Sequence, residues 1–166
     1  MAAINPGIFK AYDIRGIYPT ELDEQLARLA GRAFVAYLSA NRIGVSRDMR
    51  VSSPAMAAAF IEGARAQGAD VVDYGMLGTD MLYFAVCRDG LDGGAQVTAS
   101  HNPKEYTGMK LVRREAFPLS GDAGISDMRE MILKDTIPAP SGPKGSLTQA
   151  DVLDDYVRLM LSFIDT

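Results

Sequence analysis

The sequence predicts an α/β fold, in which a mainly parallel, mixed sheet forms the middle layer of a three-layer α/β/α sandwich. The first observation is that short apolar segments typical of strands alternate with segments whose apolar residues recur at helical spacing. The second is size: 166 residues, 48% of them hydrophobic, suffice for one compact core and are few for two full domains. No internal repeat interrupts this pattern, so we expect a single domain.

The first helix is predicted after residue 20. Thr20 and Asp23 have the spacing of a capping box with the shorter acid. The apolar residues that then recur at helical spacing are Leu22, Leu26, Leu29, Ala30, Ala33, Tyr37 and Leu38. This spacing predicts a helix with one buried face.

The middle of the chain alternates strands and helices. The apolar segment 43–45 predicts a strand. Ser53 and Pro54 predict the N-cap and first position of a second helix, whose alanine-rich run ends at Gly68. The segments that follow predict strands at residues 71–74, 95–98 and 109–112, and a helix at residues 80–88.

The C-terminal part begins with a segment that regular structure tolerates poorly. Residues 136–147, TIPAPSGPKGSL, contain three prolines and two glycines, which predicts a loop or hinge. The region 148–166 then predicts a final amphipathic helix. Its apolar stripe consists of Leu153, Val157, Met160, Leu161 and Ile164.

Composition excludes several classes of function. A net charge of -4 and a pI near 5.0 provide no broad basic surface, so we expect no nucleic-acid and no membrane partner. The N-terminus lacks the pattern of a signal peptide, and no apolar run approaches the roughly 20 residues that cross a bilayer. We therefore expect a cytoplasmic protein. The single cysteine, Cys87, lies in an apolar stretch and is expected to be a buried, inert thiol.

The segment VTASHNP, residues 97–103, holds the most suggestive chemistry. Ser100 follows a predicted strand, and ligands of open α/β sheets bind beyond the carboxyl ends of strands. The only histidine, His101, is adjacent in sequence and therefore poorly placed to act as the base of a hydrolase triad. The nucleophile elbow Gly-x-Ser-x-Gly, the Walker-type loop and the GxGxxG fingerprint are all absent from the sequence.

The neighbours of Ser100 instead suit a serine that accepts and returns a phosphoryl group, because this chemistry depends on positioning and on neutralising charged oxygens. These neighbours are His101, Asn102, Lys104 and Lys110. Taken by themselves, however, residues 100–103 are more typical of an ordinary turn.

Two further clusters are weaker. Residues 11–16, AYDIRG, contain Arg15, and arginine is suited to bidentate binding of phosphate. A local ion pair between Asp13 and Arg15 is, however, the commoner outcome. Residues 46–54 could hold an anion at a helix N-terminus, but caps explain their serines, so we interpret that segment as structural.

Together the three clusters resemble the N-terminal domain of the α-D-phosphohexomutase superfamily, in its bacterial phosphomannomutase/phosphoglucomutase branch. The resemblance extends through nearly the whole chain. It rests on FKAYDIRG at residues 9–16, RDMRVSSP at residues 47–54 and VTASHNPKEYTGMKLV at residues 97–112. The last block is highly specific, because it combines Thr-Ala-Ser-His-Asn-Pro with a Tyr-x-Gly-x-Lys in one register.

The resemblance implies an enzyme that interconverts hexose 1-phosphates and 6-phosphates through a phosphoserine and a hexose bisphosphate. It implies that Ser100 is this phosphoserine and that His101 and Lys110 act in catalysis. Tyr12, Arg15 and Asn102 are then expected to bind substrate. Mg²⁺ is the implied cofactor. The phosphate on Ser100 is expected to be one of its ligands, and the other ligands are expected to lie outside this chain.

The chain departs from the family pattern in two local places, Ser46 where glycine is usual and residues 78–80, GTD, where many members have Pro-Thr-Pro. Members also contain further domains with an Asp-Gly-Asp-x-Asp-Arg metal loop, a sugar-specificity loop and a phosphate-binding loop, none of which occurs here. We therefore expect residues 1–166 to form domain I of a longer enzyme and to be inactive alone. The alternative is a stand-alone, non-catalytic domain for phosphosugar binding or assembly.

Overall fold

A computed structural model describes residues 4–140 and 142–164, which form an α/β fold with helices on both faces of one six-stranded sheet. The strands are β1 Ile14–Ile17, β2 Arg42–Arg47, β3 Asp70–Met76, β4 Gly93–Val97, β5 Tyr106–Arg113 and β6 Leu147–Gln149. The α-helices are α1 Glu24–Leu38, α2 Ser53–Ala66, α3 Thr79–Arg88, α4 Ile125–Leu133 and α5 Leu153–Leu161. The predicted α/β class is confirmed.

The sheet is mixed and has the order β1-β5-β4-β2-β3-β6. The neighbours β4, β2, β3 and β6 pair in parallel, whereas β5 runs antiparallel to both β4 and β1. Because β2, β3 and β4 are parallel, the loops that follow them meet at one edge, which we call the carboxyl edge. The loop from β4 to β5, which contains Ser100, lies at this edge.

The predicted strands are present and three of them extend beyond both predicted bounds. Strand β4 begins earlier than predicted but ends at Val97, so Thr98 lies in the loop. Strands β1 and β6 and helix α4 were not predicted. Strand β1 has only four residues, including an arginine and a glycine, so it carries almost no alternating pattern. Strand β6 has three residues, all exposed at the sheet margin. It begins at Leu147, which was assigned to the predicted loop. Residues 136–140 and 142–146 have no helix or strand.

The predicted cap of the first helix is wrong. Helix α1 begins at Glu24, and its N-cap is Asp23, whose carboxylate accepts from the Leu26 N–H at 2.8 Å. Thr20 is exposed in the turn before it, where the Glu21 N–H donates to the Ile17 carbonyl. The helix cannot begin earlier because this turn closes back onto β1.

The cap predicted for the second helix is also displaced. The N-cap of α2 is Ser52, whose side chain makes no capping hydrogen bond, and Ser53 is already helical. The Ser53 hydroxyl donates to Asp48 at 2.5 Å instead. Because its hydroxyl is used by this partly buried carboxylate, Ser53 does not cap the helix.

The core lies on both faces of the sheet. One face is covered by α1, α2 and α4, and the other by α3 with α5 against it. Helices α1 and α2 cross closely because glycines lie at the contact: a Cβ at Gly31 would lie 2.2 Å from the Phe60 carbonyl oxygen, and one at Gly63 would lie 2.0 Å from the Arg28 carbonyl oxygen. The Phe34 and Phe60 rings pack beside this crossing, with centroids 5.8 Å apart.

Gly63→Ala is expected to lower the free energy of unfolding by about 1–3 kcal/mol, the usual range for overpacking. Alanine would favour the helix by about 1 kcal/mol, but the backbone oxygen of Arg28 cannot move aside unless the two helices separate. Denaturant unfolding measures the effect. Gly142→Ala is the control: its Cβ would meet nothing within 4 Å, so a change within about 0.5 kcal/mol is expected. Equal stability of the two variants would refute this account of the helix crossing.

Helix α5 is amphipathic and has no buried residue. Polar contacts anchor it to α3: Arg88 donates to the Asp155 carboxylate at 2.7 Å, and Tyr156 donates to Asp80. The same Arg88 guanidinium holds the pKa of Asp89 below its ordinary value. The apolar side chains of the predicted stripe that lie within α5 remain partly or largely exposed, namely Leu153, Val157, Met160 and Leu161, as does Ile164 just beyond it.

Two other predictions concern exposure. Cys87 is exposed on α3, so the expectation of a buried thiol is wrong; it lies on the part of the helix turned away from the sheet. Within residues 4–140 and 142–164, no helix combines the length and hydropathy needed to cross a membrane.

Candidate active site

Ser100 lies in the loop after β4, at the carboxyl edge, and is exposed. Its backbone has φ = 54°, the left-handed region that non-glycine residues seldom adopt. The Ser100 N–H donates to the Thr98 hydroxyl oxygen at 2.9 Å. The serine is therefore presented to solvent in a conformation that the surrounding loop must stabilise.

Arg50 supplies much of this stabilisation. Asp48 follows β2, and its N–H donates to the Val97 carbonyl at 3.0 Å, so the segment after β2 lies directly against the end of β4. From there the Arg50 guanidinium donates to four backbone carbonyls, those of Ser100 (2.9 Å), Asn102 (2.6 Å), Pro103 (2.8 Å) and Tyr106 (3.2 Å). One side chain thus holds the serine loop from Ser100 to the start of β5.

The Asp48 carboxylate connects this arginine to the serine. It pairs with Arg50 at 3.3 Å and accepts from the Thr98 hydroxyl at 2.7 Å and from Ser53 at 2.5 Å. Since the same Thr98 hydroxyl accepts from the Ser100 N–H, hydrogen bonds run without interruption from Asp48 to Ser100.

A second charged cluster lies on β1 and β5. Arg15 is opposite Gly108 in the β1–β5 register, and Lys110 is two residues further along β5, so both side chains lie on the same sheet face. Asp13 is 6% exposed and pairs with both: directly with Arg15, and with the Lys110 ammonium at 3.9 Å. Two cations around one carboxylate leave net positive charge on this face.

The structure distributes the other predicted site residues differently. His101 is exposed and its ring makes no hydrogen bond to any described residue. The Asn102 side-chain amide donates to the Ala99 carbonyl at 2.9 Å, within the loop itself. Tyr12 is 71% exposed and precedes β1. The structure thus brings Arg15 and Lys110 together and places Ser100, His101 and Asn102 in one loop, while Tyr12 faces solvent.

The departure at Ser46 is accommodated within the sheet. Ser46 is fully buried and its hydroxyl donates to the Gln96 amide oxygen. The Gln96 amide nitrogen donates to the Leu77 carbonyl at 3.0 Å, and Gln96 lies opposite Lys110 in the β4–β5 register. The serine therefore fixes the buried amide beside Lys110.

The fit of a magnesium ion can be judged from the donor set. Mg²⁺ prefers oxygen ligands, usually including carboxylates. Among the described residues no three His, Cys, Asp or Glu side chains cluster in a way that could hold a metal. The carboxylates of the two clusters described above, Asp13 and Asp48, are already paired with arginine side chains. The described side chains do not by themselves fit a magnesium site.

The roles of Asp48, Arg50 and Thr98 were not predicted from the sequence. The pair of Asp13 with Arg15, expected as the commoner outcome, is present, but the contact of Asp13 with Lys110 was not predicted. The segment 46–54 was interpreted as structural caps, yet it contains Arg50, which binds the serine loop, and Asp48, which pairs with Arg50. The sequence did contain an indication of this role: Asp48 and Arg50 follow a predicted strand, and their segment is therefore expected at the same edge of the sheet as Ser100.

The fold and site define a class: an α/β/α domain that presents an exposed serine at the carboxyl edge of its sheet, with an arginine-held loop and a cationic cluster on the neighbouring strands. Residues 6–136 match the family described as "Phosphoglucomutase/phosphomannomutase, alpha/beta/alpha domain I". The chain belongs to this family.

Individual relatives agree. The chain is 43% identical over 159 residues to a phosphomannomutase of Escherichia coli, an alignment that covers 95% of this chain and 35% of that protein. It is 45% identical over 151 residues to a phosphomannomutase sequence of Klebsiella pneumoniae, covering 90% of this chain and 96% of that sequence. A solved phosphoglucomutase/phosphomannomutase family protein of Burkholderia thailandensis superposes with a TM-score of 0.88 and 38% identity, covering 98% of this chain and 37% of the other.

The chain spans about a third of the length of the first curated relatives that it matches. In these relatives the matching region is one part of a longer protein.

Proposed function

We propose that this chain is the catalytic-serine domain of a phosphohexomutase that interconverts the 1-phosphates and 6-phosphates of mannose or glucose. The observation that carries the proposal is the serine loop. Ser100 is exposed at the carboxyl edge with its backbone held by Thr98 and Arg50, which suits a group that must repeatedly accept and release a phosphoryl group without moving. Membership in the mutase family supports the same assignment.

The reaction needs two phosphoryl transfers. In the first, the bond between phosphorus and the Ser100 oxygen breaks as a free hydroxyl of the hexose phosphate attacks, and the hydroxyl proton passes to a neighbouring base. The product is a hexose bisphosphate. After this intermediate reorients, the Ser100 oxygen attacks its other phosphoryl group. The bond between that phosphorus and the sugar oxygen breaks, the proton passes to this sugar oxygen, and the serine is regenerated in its phosphorylated form.

The cationic side chains have roles that follow from their positions. Lys110 and Arg15 lie on one sheet face and counter charge on phosphate oxygens, and Lys110 assists the proton transfer. Asp13 orients both. In the serine loop, His101 contacts the phosphate or the sugar, while Tyr12 and Asn102 contribute to substrate binding.

Magnesium, when bound, would offset negative charge on the transferring oxygens. In this proposal the phosphate on Ser100 contributes an oxygen ligand, and the carboxylate ligands come from outside this chain, because the described residues provide no carboxylate cluster.

Further domains of a longer enzyme are the proposed partners of this chain. The first curated relatives that the chain matches are nearly three times as long, and the exposed apolar side chains of α5 suit a contact with such a domain. The cytoplasmic location and the extent of the domain, residues 1–166, stay predictions. The bounds predicted inside its C-terminal part are displaced: strand β6 begins at Leu147, and the final helix, expected from residue 148, begins at Leu153.

The proposal predicts that the purified 166-residue chain shows no mutase turnover. A phosphoserine carries close to two negative charges, and the magnesium ligands that would help to neutralise them are proposed to lie in the further domains of the longer enzyme. A coupled assay with mannose 1-phosphate or glucose 1-phosphate, magnesium and a hexose bisphosphate measures this. Adding the remaining domains of the longer enzyme, expressed separately, should restore turnover. The same addition to a chain that carries Ser100→Ala should not restore it.

Turnover by the chain alone that Ser100→Ala abolishes would contradict the proposed dependence on further domains. A gene that encodes no further domain after residue 166 would favour the alternative of a non-catalytic phosphosugar-binding module.

A further inference from the structure

We propose that Arg50 is a positioning residue for phosphoryl transfer: it turns the carbonyl oxygens of the serine loop inward, away from the phosphoryl group on Ser100. This inference rests on the proposed function of Ser100 and adds to it a residue that touches neither substrate nor phosphate. It is carried by the four carbonyl contacts of one guanidinium.

The direction of the loop carbonyls matters first of all for an electrostatic reason. A phosphoserine carries close to two negative charges near neutral pH, and a carbonyl oxygen is the negative end of the peptide dipole. Carbonyls of the loop that faced the phosphoryl group would therefore raise the energy of the phosphorylated enzyme. Arg50 binds the carbonyls of residues 100, 102, 103 and 106, so these oxygens point toward its guanidinium.

The second step follows from peptide geometry. In a planar trans peptide the C=O and the next N–H point in opposite directions. Turning the Ser100 carbonyl toward Arg50 therefore directs the His101 N–H away from it, and the Pro103 carbonyl does the same for the Lys104 N–H. Neither N–H has an acceptor in the part of the chain that the structure describes, so both donors remain available on the side opposite Arg50.

The third step concerns conformation. Ser100 has φ = 54°, a region that costs an L-residue about 1–2 kcal/mol. Bonds on both sides of this residue offset that cost, from Thr98 to its N–H and from Arg50 to its carbonyl. Asp48 in turn holds Arg50 at 3.3 Å, and the arginine side chain is only 13% exposed, so the contact is well shielded from water.

The geometry requires arginine. A planar guanidinium presents five N–H donors in a rigid fork, whereas the lysine ammonium is a compact point charge with three. Lysine at position 50 would retain the charge beside Asp48 but could not span carbonyls from Ser100 to Tyr106. Arg50→Lys therefore separates charge from the spread of donors.

The test uses Arg50→Ala and Arg50→Lys in the longer enzyme that contains this chain. Each variant is expected to lower kcat by about 100-fold, the scale for a misplacement of about 1 Å, while KM for the hexose phosphate changes by less than about threefold. Amide hydrogen exchange across residues 98–106 should accelerate in both. Arg65→Ala is the matched control, because Arg65 lies at the other end of α2 and donates to one remote carbonyl, that of Gly145.

The outcomes separate the two proposals. Loss of activity in Ser100→Ala, with wild-type kcat and loop exchange in Arg50→Lys, would overturn the role of Arg50 alone. Normal activity in Ser100→Ala would overturn the proposed function itself. A purely structural role would lower the melting temperature and leave kcat per folded molecule unchanged. If Arg50→Ala does not fold, Arg50→Lys decides by the same kcat and exchange measurements.

Discussion

Ser100→Ala is expected to abolish mutase turnover in the longer enzyme, with a loss of at least about 10⁴-fold, the scale seen when a covalent nucleophile is removed. The serine oxygen is the proposed acceptor and donor of the phosphoryl group, and the other hydroxyl of this loop segment, that of Thr98, is already engaged. Thr98 already donates to Asp48 and accepts from the Ser100 N–H. The fold should be unaffected, because the Ser100 side chain is exposed.

Phosphorylation of the 166-residue chain gives a more direct measurement. After incubation with a hexose bisphosphate and the longer enzyme, intact mass should show one added phosphoryl group, and peptide mapping should place it on Ser100. Ser52→Ala is the control, since Ser52 makes no capping hydrogen bond and should be phosphorylated like the parent chain. Phosphate on Ser52 or Ser53 with Ser100 unmodified would contradict the assignment.

Arg15→Ala and Lys110→Ala are each expected to reduce kcat/KM by about 100-fold to 1,000-fold, with much smaller changes in melting temperature. The loss of one preorganised donor to developing charge costs about 3 kcal/mol of barrier. Stability should change less, because Asp13 keeps one cationic partner when the other is removed. Melting temperature and kcat/KM measured on the same samples distinguish the two effects.

Arg28→Ala is the matched control for these variants. Arg28 also pairs with a carboxylate, that of Glu62 at 2.8 Å, but it lies on the exposed surface of α1, and exposed pairs contribute about 0–1 kcal/mol. We expect near-normal activity and stability. If Arg15→Ala or Lys110→Ala instead lowered the melting temperature strongly while the folded fraction kept normal activity, the cluster would be structural.

Local patterns were sufficient for most of the fold. Helices α1, α2, α3 and α5 and strands β2 to β5 each carry a spacing or an apolar run that a short window contains. Strands β1 and β6 do not, because they are four and three residues long and lie at the two ends of the sheet order, where pairing with one neighbour decides their existence. The predicted caps were displaced, Thr20 by three residues from Asp23 and Ser53 by one residue from Ser52, because both were judged without their tertiary partners.

By itself the sequence determined the α/β class, the family and the serine that marks the candidate site, because each depends on residues close together in the chain. Only the tertiary structure decided how that serine is held. Arg50 reaches carbonyls 50 to 56 residues away, and Asp13 meets Lys110 across the β1–β5 pairing. These contacts arise from strand order and register, which bring distant loops to one edge, and no local spacing encodes that geometry.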